Sequence, residues 1–123
     1  MPARSGEAGE RAAERELKKL RMTLLERNLR SAGAEIDLVA LDGRTIVFVE
    51  VKSRSADARV GPVEAVDSNK QRHVVRGARA FLKRKGLTDQ PRRYDIAAVT
   101  LGAGGQPVSV KWIKAAFDEG AAR

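Results

Sequence analysis

The chain has 123 residues, a third of them charged, and a net charge of +8. That length supports one compact domain with a single core. The absence of cysteine excludes disulfides, thiolate metal sites and cysteine nucleophiles, and is compatible with a reducing cytoplasm. No apolar run approaches the roughly 20 residues of a transmembrane helix. The opening MPARSGEAGERAAERE lacks the apolar segment of a secretory signal, so a cytoplasmic protein with no membrane partner is expected.

Taken in chain order, residues 1–8 read as a disordered tail. Residues 9–21 are rich in Ala, Glu, Arg, Lys and Leu, strong helix formers. Ala13, Leu17 and Leu20 fall on one helical stripe, and Glu10 extends it by three residues toward the N-terminus. A carboxylate in the first turn is favoured by the helix dipole. Functionally, it is a group that could reach a charged site beside the sheet. Residues 22–30 (MTLLERNLR) form an expected first strand, followed by the polar turn SAGA.

Residues 35–52, EIDLVALDGRTIVFVEVK, are the stretch around which the rest is organised. Asp42-Gly43 between apolar runs signals a two-residue hairpin turn. Centred there, the turn pairs Leu41 with Arg44, Asp37 with Phe48 and Glu35 with Glu50. Side chains alternate faces along a strand, so Ile46, Phe48, Glu50 and Lys52 share a face with Glu35, Asp37, Val39 and Leu41. Asp37 and Glu50 are then diagonal neighbours about 7–8 Å apart at Cα, near enough to share one cation. The opposite face carries Ile36, Leu38, Ala40, Val47, Val49 and Val51. Two largely apolar faces mark central strands covered on both sides. Charges at the rim of such a layer are costly unless paired, either in ordinary salt bridges near solvent or around a metal ion.

Residues 53–68, with Gly61-Pro62, read as a loop that either folds over a substrate or simply connects elements. Asp67 or Ser68 can cap a helix over residues 69–85 that Gly86 ends. Its apolar stripe is Val74, Ala78, Phe81 and Leu82, with Lys70 one turn earlier on the same face. Arg72, Arg76, Arg79 and Lys83 form a line beside that stripe. Nine of the 24 basic residues but one of the 16 acids lie between residues 70 and 93, leaving fifteen of each elsewhere. So localised an excess is the footprint of a polyanion binder; a solvated charged helix face is the plainer reading. His73, the one histidine, reads as a surface residue. Residues 93–101 form an apolar strand and 107–112 a final short strand, a candidate edge. Residues 113–117 begin a terminal helix that packs Phe117 and Trp112 onto the body. Residues 9–118 thus make one domain, with 119–123 as a tail.

The order α-β-β-β-α-β, with an acid on the second strand and E-x-K on the third, resembles the restriction-endonuclease-like fold and its PD-(D/E)-x-K site. The blocks GERAAERELKK, LLERNLRSAGAEIDLVALDG, IVFVEVKSRS, GPVEAVDSNKQRHVVRGARAFL, RRYDIAAVTL and VKWIKAAFD resemble, in order, those of the bacterial YraN family, itself distantly similar to archaeal Holliday junction resolvases. The resemblance implies an α/β fold with a central mixed sheet flanked by helices. It implies Asp37 and Glu50 as ligands of Mg²⁺ or Mn²⁺, and Lys52 as the lysine of the motif. Glu10 would be an additional helix-borne acid, and Lys70 the polar residue that opens the second helix. Ile36 stands where the motif's name has proline, and the family's Gly-Tyr pair after the first helix is missing, but the acids and the lysine are all present. The implied activity is metal-dependent hydrolysis of DNA phosphodiesters, on branched or structured DNA if the resolvase similarity extends to function, with a homodimer for paired cuts. DNA is favoured over RNA as the partner. The basic line of Arg72, Arg76, Arg79 and Lys83 would hold the backbone. The few aromatics leave little for a single-strand stacking platform. Two alternatives stay open: a non-catalytic nucleic-acid-binding module on the same fold, and a basic protein–protein adaptor.

Overall fold

A computed structural model describes residues 5–57, 61 and 66–122. Helix α1 (Ser5–Lys19) leads into strands β1 (Thr23–Ser31), β2 (Ala34–Asp42) and β3 (Thr45–Ser55). Helix α2 (Ser68–Arg84), strands β4 (Arg92–Leu101) and β5 (Pro107–Phe117), and a 3-10 turn (Glu119–Ala122) complete the chain. The five strands lie in sequence order in one sheet. Only β3 and β4 run parallel, because α2 carries the chain back to the end of the sheet where β3 began. The architecture is therefore α/β, with a mixed sheet. α1 starts at Ser5, ahead of the expected residue 9 and within the stretch read as a tail.

The two predicted faces each have a cover. Val39, Ile46 and Phe48 pack with Val74, Ala78, Phe81 and Leu82 of α2. Leu38, Ala40, Val47 and Val49 pack with Ala13 and Leu17 of α1. Leu20 does not join them. It lies beyond the end of α1 at 40% exposure, in a turn where Arg21 takes φ 65°, and Met22 fills the position instead. The α2 stripe is as expected, and so is its start: Asp67 accepts a hydrogen bond from the Lys70 N–H at 2.8 Å. Gly86, at φ 68°, follows its end. Residues 53–55 of the expected loop belong to β3. Pro62 and the covering role considered for that segment lie outside the described residues.

Two further expectations are corrected. The hairpin pairs Leu41 with Ile46 and Asp42 with Thr45, two residues away from the register centred on Asp42-Gly43. The turn is Gly43-Arg44, with Gly43 at φ 61° in the first turn position, where a single positive φ suffices. Leu41 thereby meets an apolar partner rather than Arg44, and Asp42 remains in the strand to bind Arg93 at 3.0 Å. Glu35 is consequently not opposite Glu50. Second, residues 113–117 are not helical: β5 runs to Phe117. The strand passes a register shift between Tyr94 and Ile96, at which the buried Asp95 accepts the Ala115 N–H at 2.9 Å. Phe117 stacks on Tyr94 on the α2 side, while Trp112 packs on the α1 side.

Candidate functional site

The sheet forks at one end. Pairing of β2 with β3 is last seen at Leu38↔Val49, whereas β3 stays paired with β4 as far as Ser55↔Leu101. Beyond the fork a side chain replaces the missing strand: Asp37 Oδ2 accepts the Val51 N–H at 2.8 Å. The β1 side is irregular at the same level. Arg27↔Leu38 and Leu29↔Ile36 flank it, and between them Asn28 takes φ 50°. In consequence Ile36 joins the α2-side core and Leu38 the α1-side core, although uninterrupted alternation puts them on one face. Asp37 sits at that switch.

Five predicted residues converge on the fork. Glu10, Asp37 and Lys52 line a cleft of about 320 Å³ together with Val51, Ser53 and Leu101. Glu10 and Asp37 also border an adjoining cleft of about 260 Å³ that includes Arg11, Glu14 and Arg27. Glu50, only 3% exposed, lies on the α2 side. There Lys70 Nζ stands 3.7 Å from Glu50 Oε2 and donates to the Glu35 carbonyl at 3.4 Å. Helix α1 is brought close by Gly9, where a Cβ would lie 1.9 Å from Ser53 Oγ. Of the basic line, Arg76, Arg79 and Lys83 are exposed along α2. Arg72 is half-buried and donates to Asn69. His73 is exposed, Phe48, Phe81 and Tyr94 are buried, and Trp112 and Phe117 are half-buried.

The fork is electrostatically frustrated. Burial, reinforced by the negative charge of Asp37, pushes the Glu50 carboxyl up to about 8, with Lys70 and Lys52 pulling the other way. Burial also raises Asp37, against the opposing pull of the Val51 N–H and Lys70. Glu50 Oε1 is buried and has no hydrogen-bond partner among the described residues. An orphaned carboxylate oxygen beside a second carboxylate is a donor set suited to a hard cation. Mg²⁺ commonly uses one or two carboxylates and keeps several waters. Among the described residues no three His, Cys, Asp or Glu side chains are grouped to hold a metal ion, so the fit is to Asp37 and Glu50 as a pair.

Sequence reasoning missed the fork itself, since alternation carries no sign of where two strands part. It also missed Asp95. That carboxylate is fully buried yet satisfied by Arg93 Nε and Nη2, Trp112 Nε1 and the Ala115 N–H. An acid inside the apolar run RYDIAAVTL, with an arginine two residues before it, was the available signal. Asp95 organises the β4–β5 bulge. The missed Arg27 forms a bidentate pair with Glu14 at 2.7 and 2.8 Å, and holds that carboxyl down to about 2.

The family model described as "Uncharacterised protein family UPF0102" matches residues 9–99. A UPF0102 protein of Desulforapulum autotrophicum is 48% identical over 96 residues, 78% of this chain and 79% of its own. One from Stutzerimonas stutzeri is 41% identical over 115 residues, 93% of this chain and 94% of its own. One from Geotalea daltonii is 42% identical over 113 residues, 92% and 88% of the two chains.

Proposed function

The chain belongs to the UPF0102 (YraN) family, and from that premise we propose a metal-dependent nuclease of restriction-endonuclease-like fold that hydrolyses DNA phosphodiester bonds. The observation that carries the reading is Glu50, a buried carboxylate with an orphaned oxygen, next to Asp37 at the open end of a forked sheet. A fold gains nothing from crowding two carboxyl groups where burial raises both and one oxygen goes unbonded. A cation-dependent site does.

In this reading Asp37 and Glu50 hold Mg²⁺ or Mn²⁺. When bound, such an ion neutralises phosphate charge and makes a water more acidic. The Val51 N–H fixes one oxygen of Asp37. Lys52, on the same strand face as Glu50, orients the attacking water and offsets the charge that develops at phosphorus. Lys70, 3.7 Å from Glu50 Oε2 in the free protein, turns to a phosphate oxygen when one arrives. Glu10, across the cleft from Lys52, serves as the acceptor that positions a water on the α1 side. Arg76, Arg79 and Lys83 hold the backbone without reading bases, since phosphate contacts position but do not specify. Branched DNA is the proposed substrate shape, by the family's similarity to junction resolvases, and symmetrical cuts would require a homodimer. The absence of a third carboxylate from the pair among the described residues favours the second reading, a nucleic-acid-binding module that retains the fold without cleaving.

The test is cleavage of duplex, single-stranded, flap and four-way DNA with Mg²⁺ or Mn²⁺, comparing the wild type with Glu50→Ala. Cutting that requires the metal and drops by roughly 100-fold or more in the variant is the expected result. Salt-sensitive binding with no cutting by either protein would establish the binding module instead.

A further inference from the structure

Two buried side-chain polar atoms lack a hydrogen-bond partner among the described residues: Glu50 Oε1 and Arg54 Nη1. They belong to one strand. The β3–β4 ladder runs without a register shift through Glu50↔Ile96, Lys52↔Ala98 and Arg54↔Thr100. Alternation therefore places Glu50, Lys52 and Arg54 in a row on one face, in steps of about 7 Å. Lys70, at the start of α2, faces the same row through its contact with Glu50. Other half-buried arginines are accounted for: Arg93 by Asp95 and Asp42, Arg92 by backbone carbonyls and Glu119. No acceptor among the described residues meets Arg54 Nη1.

A permanently charged guanidinium with a desolvated, unpaired nitrogen is costly to keep, and an apolar side chain would fill the space at less expense. No described residue supplies its partner, and a bound anion would. The juxtaposition is chemically complementary. An acid with one unbonded oxygen and an arginine with one unbonded nitrogen stand four residues apart on one face, at the edge of β3 that β2 has left open. A planar fork of donors matches a phosphate in a bidentate contact, which a lysine cannot reproduce. We infer that Arg54 is a substrate-positioning residue that grips a backbone phosphate next to the one held at Asp37 and Glu50, its four-torsion side chain turning outward to do so. This inference rests on the nuclease reading for the identity of the polyanion, and adds to it the residue that sets the path of the strand.

The experiment measures binding of a fluorescent 20-base-pair duplex by anisotropy in EDTA, where cleavage is blocked, over a KCl series. It compares the wild type, Arg54→Ala and Arg54→Lys, each also melted thermally. Arg54→Ala is expected to bind roughly tenfold or more weakly and to lose about one unit of salt slope. Its melting temperature stays equal or rises, because no hydrogen bond of Nη1 to a described residue is removed. Arg54→Lys keeps the slope and recovers only part of the affinity. Unchanged affinity and slope in Arg54→Ala would overturn the assignment and leave the nuclease reading standing. So would a destabilised Arg54→Ala alongside an Arg54→Lys that binds like the wild type, which would mark a packing role. A wild type without salt-dependent binding would instead overturn the nucleic-acid reading beneath it.

Discussion

Glu50 combines burial with ionisability, and its proton inventory can be read as stability. Its carboxyl titrates near 8 in the folded chain, against about 4.3 in an unfolded one. Between those values the folded state binds more protons than the unfolded state, so stability falls as pH rises. The contribution is fully present below about 4.3 and is lost as pH passes through about 8, at a rate of up to about 1.4 kcal/mol per pH unit. Thermal melts in chelator from pH 5 to pH 8 should show this decline in the wild type and a much flatter profile in Glu50→Gln. Mg²⁺ or Mn²⁺ added at pH 8 should restore the wild type and leave Glu50→Gln unmoved. Equal pH profiles in the two proteins would show that Glu50 is already ionised without metal. Asp95 is as buried as Glu50, but four hydrogen bonds satisfy both of its oxygens, and its part is structural.

At the scale of elements, two glycines set the distances between helices and sheet. Gly9 lets α1 close onto Ser53 of β3, which keeps Glu10 at the cleft. Gly77 does the same for α2 on the other face. A Cβ there would lie 2.8 Å from the Ser31 carbonyl oxygen and 3.0 Å from Ala34 Cβ. Ser31 Oγ also donates to the Gly77 carbonyl at 2.7 Å, so neither partner is free to retreat. Gly77→Ala, which ordinarily favours a helix, should here destabilise the protein by about 1–3 kcal/mol through overpacking. Urea unfolding tests this, and a neutral or stabilising result would mean that the β1–β2 turn yields. The fork between β2 and β3 is likewise a property of elements: β3 needs β4 and both helices to remain extended where β2 has left it.

For the whole molecule, the charge asymmetry matters most. The excess of +8 comes from one segment, and three of its cations, Arg76, Arg79 and Lys83, are exposed along one line of α2. Replacing all three by alanine should lower the salt slope of DNA binding by roughly 2–3 units while leaving the fold intact. Binding isotherms at several KCl concentrations measure this, and an unchanged slope would place the phosphate path elsewhere. None of the helices is long and apolar enough to cross a membrane among the described residues.

Local chemistry was legible in the sequence wherever a side chain answers only to its own strand or helix. The α2 stripe, its Asp67 cap, the alternation of β3, and the gathering of Asp37, Glu50 and Lys52 near one end of two strands all follow from periods of 3.6 and 2 and from turn chemistry. Tertiary structure alone decided matters that depend on which strand meets which. The hairpin register moved by two residues because Leu41 gains more from Ile46 than from Arg44. The last strand stayed extended through residues 113–117 because Asp95, on another strand, supplies an acceptor for the Ala115 N–H. The parting of β2 from β3, beyond which Glu50 Oε1 and Arg54 Nη1 have no hydrogen-bond partner among the described residues, arises from the competition of β1, β4 and two helices for the same two strands. No local pattern encodes that competition, because its energy resides in contacts between residues far apart in the chain.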